Sequence, residues 1–389
     1  MKLRAGTPDD VGVSPGRVER LRMLAQSWVE EGIHPSIGVL VARRGVVILH
    51  EAFGRSGPEK DAPALEKDAI FPLVSISKPI TAATAMVLVE DGLLGLNRPV
   101  REYLPEFEGE GKERVMIRHL MTHTSGIVTD DLIEHARKHG ANVGKSYPDF
   151  MSWVADNPDD YLRLILKGPV SAPVDREMVY GNANYDLLGQ VISRITGSDL
   201  GEVAAERIFA PLGMEDTFFV VPASAKDRIV RRPSTAAFYD LTRRLMDSSP
   251  GSIGAYSTVL DMAVFGEMFR SGGSYGDTRV LSWASVRALT TNQIPGLRAH
   301  INDEILPEAG WGLGWGVHGN KKAWAWDELL LSETAFMHSG SGGVIMWVDP
   351  TLESLAIFFS VYLDLLEDGR PNSSADLFIN AALATIEEL

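Results

Sequence analysis

The distribution of strand-forming sequence restricts the fold of this chain more than any other feature, because strand-like runs lie near both ends and hardly at all between. Ile37-Gly-Val-Leu-Val-Ala42 and Val46-Val-Ile-Leu-His50 flank Arg43-Arg-Gly45, two β-rich runs around a short glycine-containing turn, which reads as a hairpin. Such runs return only after residue 250, at Met337 and over residues 344–348 and 355–363. From Ser75 to about Arg244 the apolar spacing is helical, most clearly over residues 80–91 and 184–195. A further helix is expected near each end. Ser14 and Pro15 suit a helix start, with Val18, Leu21, Leu24/Ala25 and Trp28 on one face before Gly32. The last helix is expected over residues 375–387, with Leu377, Ala381 and Ala384 on one face. The chain therefore reads as an α/β sheet domain made from residues 1–74 plus 250–389, with a helical domain, residues 75–249, inserted between.

Composition removes several classes of function. Lys plus Arg number 37 against 52 Asp plus Glu, a formal net charge of −15 that repels phosphate backbones and anionic lipid, so neither nucleic acid nor membrane is expected as a partner. Without cysteine there is no disulfide framework, thiolate zinc site, iron–sulfur cluster or cysteine nucleophile. The longest apolar runs fall well short of the roughly 18 residues of a membrane span, and the first residues lack the apolar core of a signal peptide. These features predict a soluble, cytoplasmic protein.

Three short motifs carry chemistry. Ser75-Ile-Ser-Lys78 is an S-x-x-K element at the expected start of a helix, where residues i and i+3 share a face and the Lys ammonium can approach the Ser hydroxyl. A serine hydroxyl needs such a neighbour to take its proton, and a helix N-terminus supplies N–H groups for the oxyanion that follows. Alone the element carries little weight, since about one match is expected by chance in a chain of this length. Tyr180-Gly-Asn182 runs into a helical pattern. Tyr and Lys have ordinary pKa values of about 10 and 10.4, but a close pair can shift each other and hold one acceptor site for the serine proton. An isolated Y-x-N is more often a helix cap with a buried Tyr. His338-Ser-Gly-Ser-Gly-Gly343 precedes a strand-like run; a Gly-rich edge lets an acyl group approach, and a backbone N–H there can complete an oxyanion hole, although such elements are also plain turns.

The order S-x-x-K, Y-x-N, H-x-G, with its flanks, resembles the serine β-lactamase and penicillin-binding protein superfamily, and most closely its class C-like branches. The similarity extends over Val89-Glu-Asp-Gly-Leu-Leu-Gly-Leu-Asn97, Ile117-Arg-His-Leu-Met-Thr-His-Thr-Ser-Gly126, residues 180–197, Ile253-Gly-Ala-Tyr-Ser-Thr258 with Asp261, Gly310-Trp-Gly-Leu-Gly-Trp315 and the His338 segment. The resemblance implies an antiparallel sheet flanked by helices and formed by both chain ends, an inserted mostly helical domain, and an active site at their interface. It implies Ser75 as acylating nucleophile, Lys78 and Tyr180 as its base couple, and Asn182 as a partner for Lys and substrate. Support at the third motif would come from His338, Gly340 and Ser341, with an oxyanion hole formed by the N–H groups of Ser75 and Ser341. No metal or organic cofactor is implied.

The departures narrow the substrate. Efficient β-lactam-hydrolysing relatives usually carry K-T-G at the third motif, where the Lys cation holds the drug's carboxylate; here His338 supplies a cation only if protonated. This favours the family VIII esterases, acting on a small carboxylic ester, with an amide, a D-peptide or a β-lactam as the rival substrate and a non-catalytic acyl-binding member as the rival of another class. No G-x-S-x-G indicates an α/β-hydrolase. Gly140-Ala-Asn-Val-Gly-Lys-Ser146 is one residue short of a phosphate loop and follows no strand. His119/His123 and His135/His139 have zinc-compatible spacing but read as packing and surface residues. Trp311, Trp315, Trp324 and Trp326 either line an acyl pocket or are core, and residues 128–170 are either a lid or a surface helical insertion.

Overall fold

A computed structural model of the chain describes residues 1–143, 147–232, 247–301, 304–319, 330–361 and 374–388. Seven strands form one sheet: β1 (Arg4–Ala5), β2 (Ser36–Arg43), β3 (Val46–Gly54), β4 (Gly316–Val317), β5 (Phe336–Gly340), β6 (Val344–Asp349) and β7 (Ser354–Ser360), in the order β1-β3-β2-β7-β6-β5-β4. The two chain ends meet at its centre, where β2 pairs antiparallel with β7 from Ile37 opposite Ser360 to Arg43 opposite Ser354. Every other pairing is antiparallel as well, except that the short edge strand β1 runs parallel to β3.

Alternation sends successive side chains to opposite faces, and both faces are covered. Val39, Val41, Ile345, Trp347, Ala356 and Phe358 pack with α1 (Pro15–Glu30) and the C-terminal helix (Ala375–Leu383). Leu40, Ala42, Met346, Val348, Ile357 and Phe359 face a larger core shared with the inserted helices and with Val259–Arg270. Ser14 occupies the cap position of α1 but makes no side-chain capping bond.

Between the sheet halves, α2 (Ser77–Glu90) is buried from Ser77 to Leu88 and packs on Asn182–Thr196, itself buried from Ala183 to Gly189. Helices enclosed on all sides are central elements of a core. The remaining α-helices of nine or more residues, labelled in chain order, are α3 (Thr129–Lys138), α4 (Tyr147–Asp156), α5 (Pro158–Lys167), α6 (Asn182–Thr196), α7 (Val259–Arg270) and α8 (Ala375–Leu383). The 128–170 segment thus contains three helices whose Leu132, Ile133, Met151, Val154, Leu164 and Ile165 join the main core, so it is packed structure beside α6. Gly140 follows a helix, and Gly144-Lys145-Ser146 lie outside the described residues. Among the described residues no helix is long and apolar enough to cross a membrane, and no three His, Asp or Glu side chains cluster as a metal site would need.

Three sequence expectations need correction. The last helix ends at Leu383 rather than 387. The last strand ends at Ser360 rather than running to 363, of which residues 362 and 363 lie outside the described part. On α8, Leu377 and Ala384 point to solvent, and the buried face is Ala375, Phe378, Ile379, Ala382 and Leu383. The helix is apolar on more than one face, and the stripe that packs on the sheet is the one whose Phe378 ring lies 5.2 Å from that of Phe358. Phe378→Ala is expected to lower the free energy of unfolding in urea by about 3–5 kcal/mol, whereas Leu377→Ala, 53% exposed, is expected to change it by less than about 0.5 kcal/mol.

Candidate active site

The Ser75 turn is held between the sheet and the inserted helices. Phe71–Pro72 pairs with Tyr256–Ser257, and a 3₁₀ turn, Val74–Ile76, then leads into α2. Val74 has φ +47°, a conformation that a β-branched residue adopts only under constraint. Ser77 supplies part of that constraint: its hydroxyl donates to the Val74 carbonyl at 2.6 Å and accepts the Ala255 N–H at 2.9 Å. On the sheet side, a Cβ on Gly340 would lie 2.2 Å from the Leu73 carbonyl oxygen, so only glycine lets β5 come this close to the serine turn. Ser341 follows at the exposed turn into β6. His338 to Gly340 pair with β6 on one side, and β4 pairs only with Phe336 and Met337, so their other edge has no strand partner among the described residues.

Lys78 lies one helical turn beyond Ser75 and is completely buried. Its ammonium donates to Ser75 Oγ at 3.0 Å, to Asn182 Oδ1 at 2.9 Å and to the Ser252 carbonyl at 3.2 Å, which uses all three of its protons. Its Nζ also stands 4.9 Å from the centre of the Tyr180 ring. Burial pushes the Lys78 ammonium down to about 7, a shift opposed by the charge of nearby Asp186. An amine poised there can take a proton from a bonded hydroxyl at neutral pH.

Tyr180 is enclosed by rings. Those of His123, Trp311 and His338 lie 4.5, 5.8 and 6.5 Å from its own. Spacing alone reads His123 as a packing residue, yet its Nδ1 accepts the Gly181 N–H at 3.3 Å and faces the Asn184 amide at the same distance. That leaves the proton on Nε2, and burial first, then the Lys78 charge, hold the imidazole well below its usual range and neutral. His338 donates from Nδ1 to the Ser339 carbonyl at 2.8 Å, and its Nε2 has no hydrogen-bond partner among the described residues. Burial pushes its pKa down to about 3, with the Lys78 charge adding to the effect. His338 therefore offers no cation at neutral pH, whereas the Arg232 guanidinium lies against Gly342 of the same motif.

The structure brings Ser75, Lys78, Tyr180, Asn182 and His338 around one point and sets Gly340 against the serine turn, with Ser341 next to it. Asn182 opens α6, and its amide also reaches Met151 Sδ at 3.7 Å, so the 128–170 segment walls the site. Trp311 backs Tyr180 and donates to the Met121 carbonyl, which also accepts the Tyr185 hydroxyl. Trp315 is core against Phe265, Phe269 and Phe336, and Trp324 and Trp326 lie outside the described residues. The half-buried His135 and the exposed His139 stack on each other at 4.1 Å, while His119 is buried. Sequence reasoning gives no site role to His123, Asp186 or Ser252, although His123 lies in the 117–126 segment and Asp186 in the 180–197 segment.

Residues 24–380 match the protein-family model described as Beta-lactamase. A putative D-alanyl-D-alanine carboxypeptidase of Salmonella typhi is 24% identical, with 90% of this chain and 83% of that protein covered. The solved structure of a family VIII carboxylesterase superposes with a TM-score of 0.73 at 19% identity, covering 96% of this chain and 99% of the other. A penicillin-binding protein homologue from Caulobacter crescentus gives 0.70 at 20% identity, with 97% and 98% covered. With the family match spanning most of the sequence and a sheet drawn from both chain ends, the chain belongs to the beta-lactamase family, within a superfamily of serine hydrolases that includes esterases, peptidases and β-lactamases.

Proposed function

We propose that this chain is a carboxylesterase that hydrolyses small, uncharged esters through an acyl-enzyme on Ser75. The observation that carries the reading is the buried Lys78 ammonium, bonded to Ser75 Oγ and set against the Tyr180 ring. In the first step Ser75 Oγ attacks the ester carbonyl while its proton passes to the Lys78–Tyr180 couple, and the N–H groups of Ser75 and Ser341 receive the oxyanion. Collapse breaks the ester C–O bond, and Tyr180 protonates the departing alcohol. Water then attacks the acyl-enzyme, gives a proton to the same couple, and the acid leaves as Ser75 Oγ is protonated again. Asn182 fixes the ammonium and faces the acyl group.

The preference for an uncharged ester rests on His338. A β-lactam or a peptide C-terminus presents a carboxylate that a cation at this position would hold, and a neutral imidazole cannot. The name of the Salmonella relative favours a second reading, a D-peptide substrate. The assignment to a cytoplasmic setting, and of residues 75–249 as a separate helical domain, remains part of this proposal.

Intact-protein mass after a fluorophosphonate probe is expected to show one adduct on the wild type and none on Ser75→Ala, and p-nitrophenyl butyrate to turn over far faster than a chromogenic cephalosporin. Preferred cephalosporin turnover would move the assignment to a β-lactamase, and a labelled chain that turns over only D-alanyl peptides would move it to a peptidase. Tyr180→Phe is expected to lower kcat by about 10²–10⁴-fold if the phenol carries the proton, and an unchanged rate would remove that role. Because protonating Lys78 blocks its function as a base, ester hydrolysis is expected to fall as the pH drops through about 7. A rate that stays flat down to pH 5 would contradict this assignment.

A further inference from the structure

Behind Lys78 lies a carboxylate that the acyl-transfer steps do not use. Asp186 sits on α6, one turn beyond Asn182, and is 9% exposed. It accepts the Tyr161 hydroxyl at 2.8 Å and the Ser252 N–H at 3.0 Å. The carbonyl of that same Ser252 accepts the Lys78 ammonium. One residue is thus gripped from both sides, its N–H by a carboxylate and its C=O by the catalytic base. Gly251 makes the grip close: a Cβ there would stand 2.4 Å from the carbonyl oxygen of Tyr185, the residue before Asp186. The Ser252 loop is pressed on α6 to a depth that a side chain would prevent.

The titratable and charged groups facing Lys78 come from four elements: Tyr180 ahead of α6, Asp186 on α6, His123 from the loop after the Ile117–Met121 helix, and His338 on β5. Burial keeps both imidazoles neutral. Asp186 is therefore the countercharge to the ammonium among the described residues. Burial also pushes the Asp186 carboxyl up, and the Ser252 and Tyr161 bonds, with the Lys78 charge, work against that rise.

We propose that Asp186, steadied by Tyr161 and acting through the Ser252 peptide, is a positioning residue for Lys78; this rests on the hydrolase reading above. The carboxylate orients the Ser252 carbonyl toward the ammonium and opposes the loss of its charge. Through Tyr161, the α5 helix of the inserted segment bears on the base from behind, away from the acyl group.

The test is the pH profile of ester turnover per fluorophosphonate-titrated serine, wild type against Asp186→Asn. The substitution keeps the volume and removes the charge, so Lys78 loses its proton at lower pH. The acid limb is expected to move down by about half a pH unit or more, with the plateau kcat reduced about tenfold. Partial unfolding lowers the number of titrated serines and leaves the position of the limb unchanged, so a purely structural role does not reproduce the shift. A limb within about 0.2 pH units of wild type would overturn the proposal. If Asp186→Asn does not fold, Tyr161→Phe takes its place: a loss of about threefold in kcat with KM unchanged is expected, and an unchanged kcat would overturn it. A wild-type chain that is neither labelled nor active on esters defeats the hydrolase reading itself, an outcome distinct from an active enzyme whose acid limb ignores Asp186.

Discussion

An ammonium withdrawn from water costs several kcal/mol unless each of its protons finds an acceptor, and Lys78 is wholly enclosed. Its three acceptors come from the turn before α2, the first residue of α6, and Ser252 in the loop that precedes α7, the last two lying 104 and 174 residues away in sequence. These segments cannot shift independently without leaving a buried charge unpaired. The site is therefore stiffened by the same bonds that tune its chemistry: desolvation brings the amine toward neutrality, and full hydrogen bonding makes the desolvation tolerable.

The surrounding groups keep that balance by being neutral. His123 and His338 both lie within reach of the Lys78 field, and either one protonated would repel the ammonium. Each is instead locked as one tautomer by backbone, His123 accepting at Nδ1 from Gly181 and His338 donating from Nδ1 to Ser339. The imidazoles then serve as flat, uncharged walls for Tyr180. The neutrality of His338 thus also spares Lys78 a repelling charge.

The sheet was legible because it depends on local signals: β-branched runs at both ends and a short turn between Arg43 and Val46 were enough to place β2, β3, β6 and β7. Ser75 and Lys78 were legible for the same reason, since three residues along a helix decide their contact. Asp186 and Ser252 were not, because their meaning lies in a peptide gripped across 66 residues, which leaves no periodic trace. The buried face of α8 failed differently. Leu377, Ala381 and Ala384 form a valid apolar stripe, and it is tertiary packing, with Phe378 against Phe358 of β7 in the shared core, that turns the other stripe inward.

The backbone at the serine turn extends the same logic. Val74 holds a left-handed conformation that no local preference supports, and its carbonyl is tied to Ser77, which is tied in turn to Ala255, three residues beyond Ser252. From the other side Gly340 admits β5 to contact with Leu73, the neighbour of Val74. The loop that supplies the third acceptor of Lys78 is therefore also the loop that braces the Ser75 turn. Backbone strain beside Ser75 and charge burial at Lys78 are sustained by one short segment, residues 251–255, pressed between α2 and α6. Loosening that segment would relax Ser75 and unpair Lys78 together, which is why its glycine at 251 matters as much to the site as any side chain that meets the substrate.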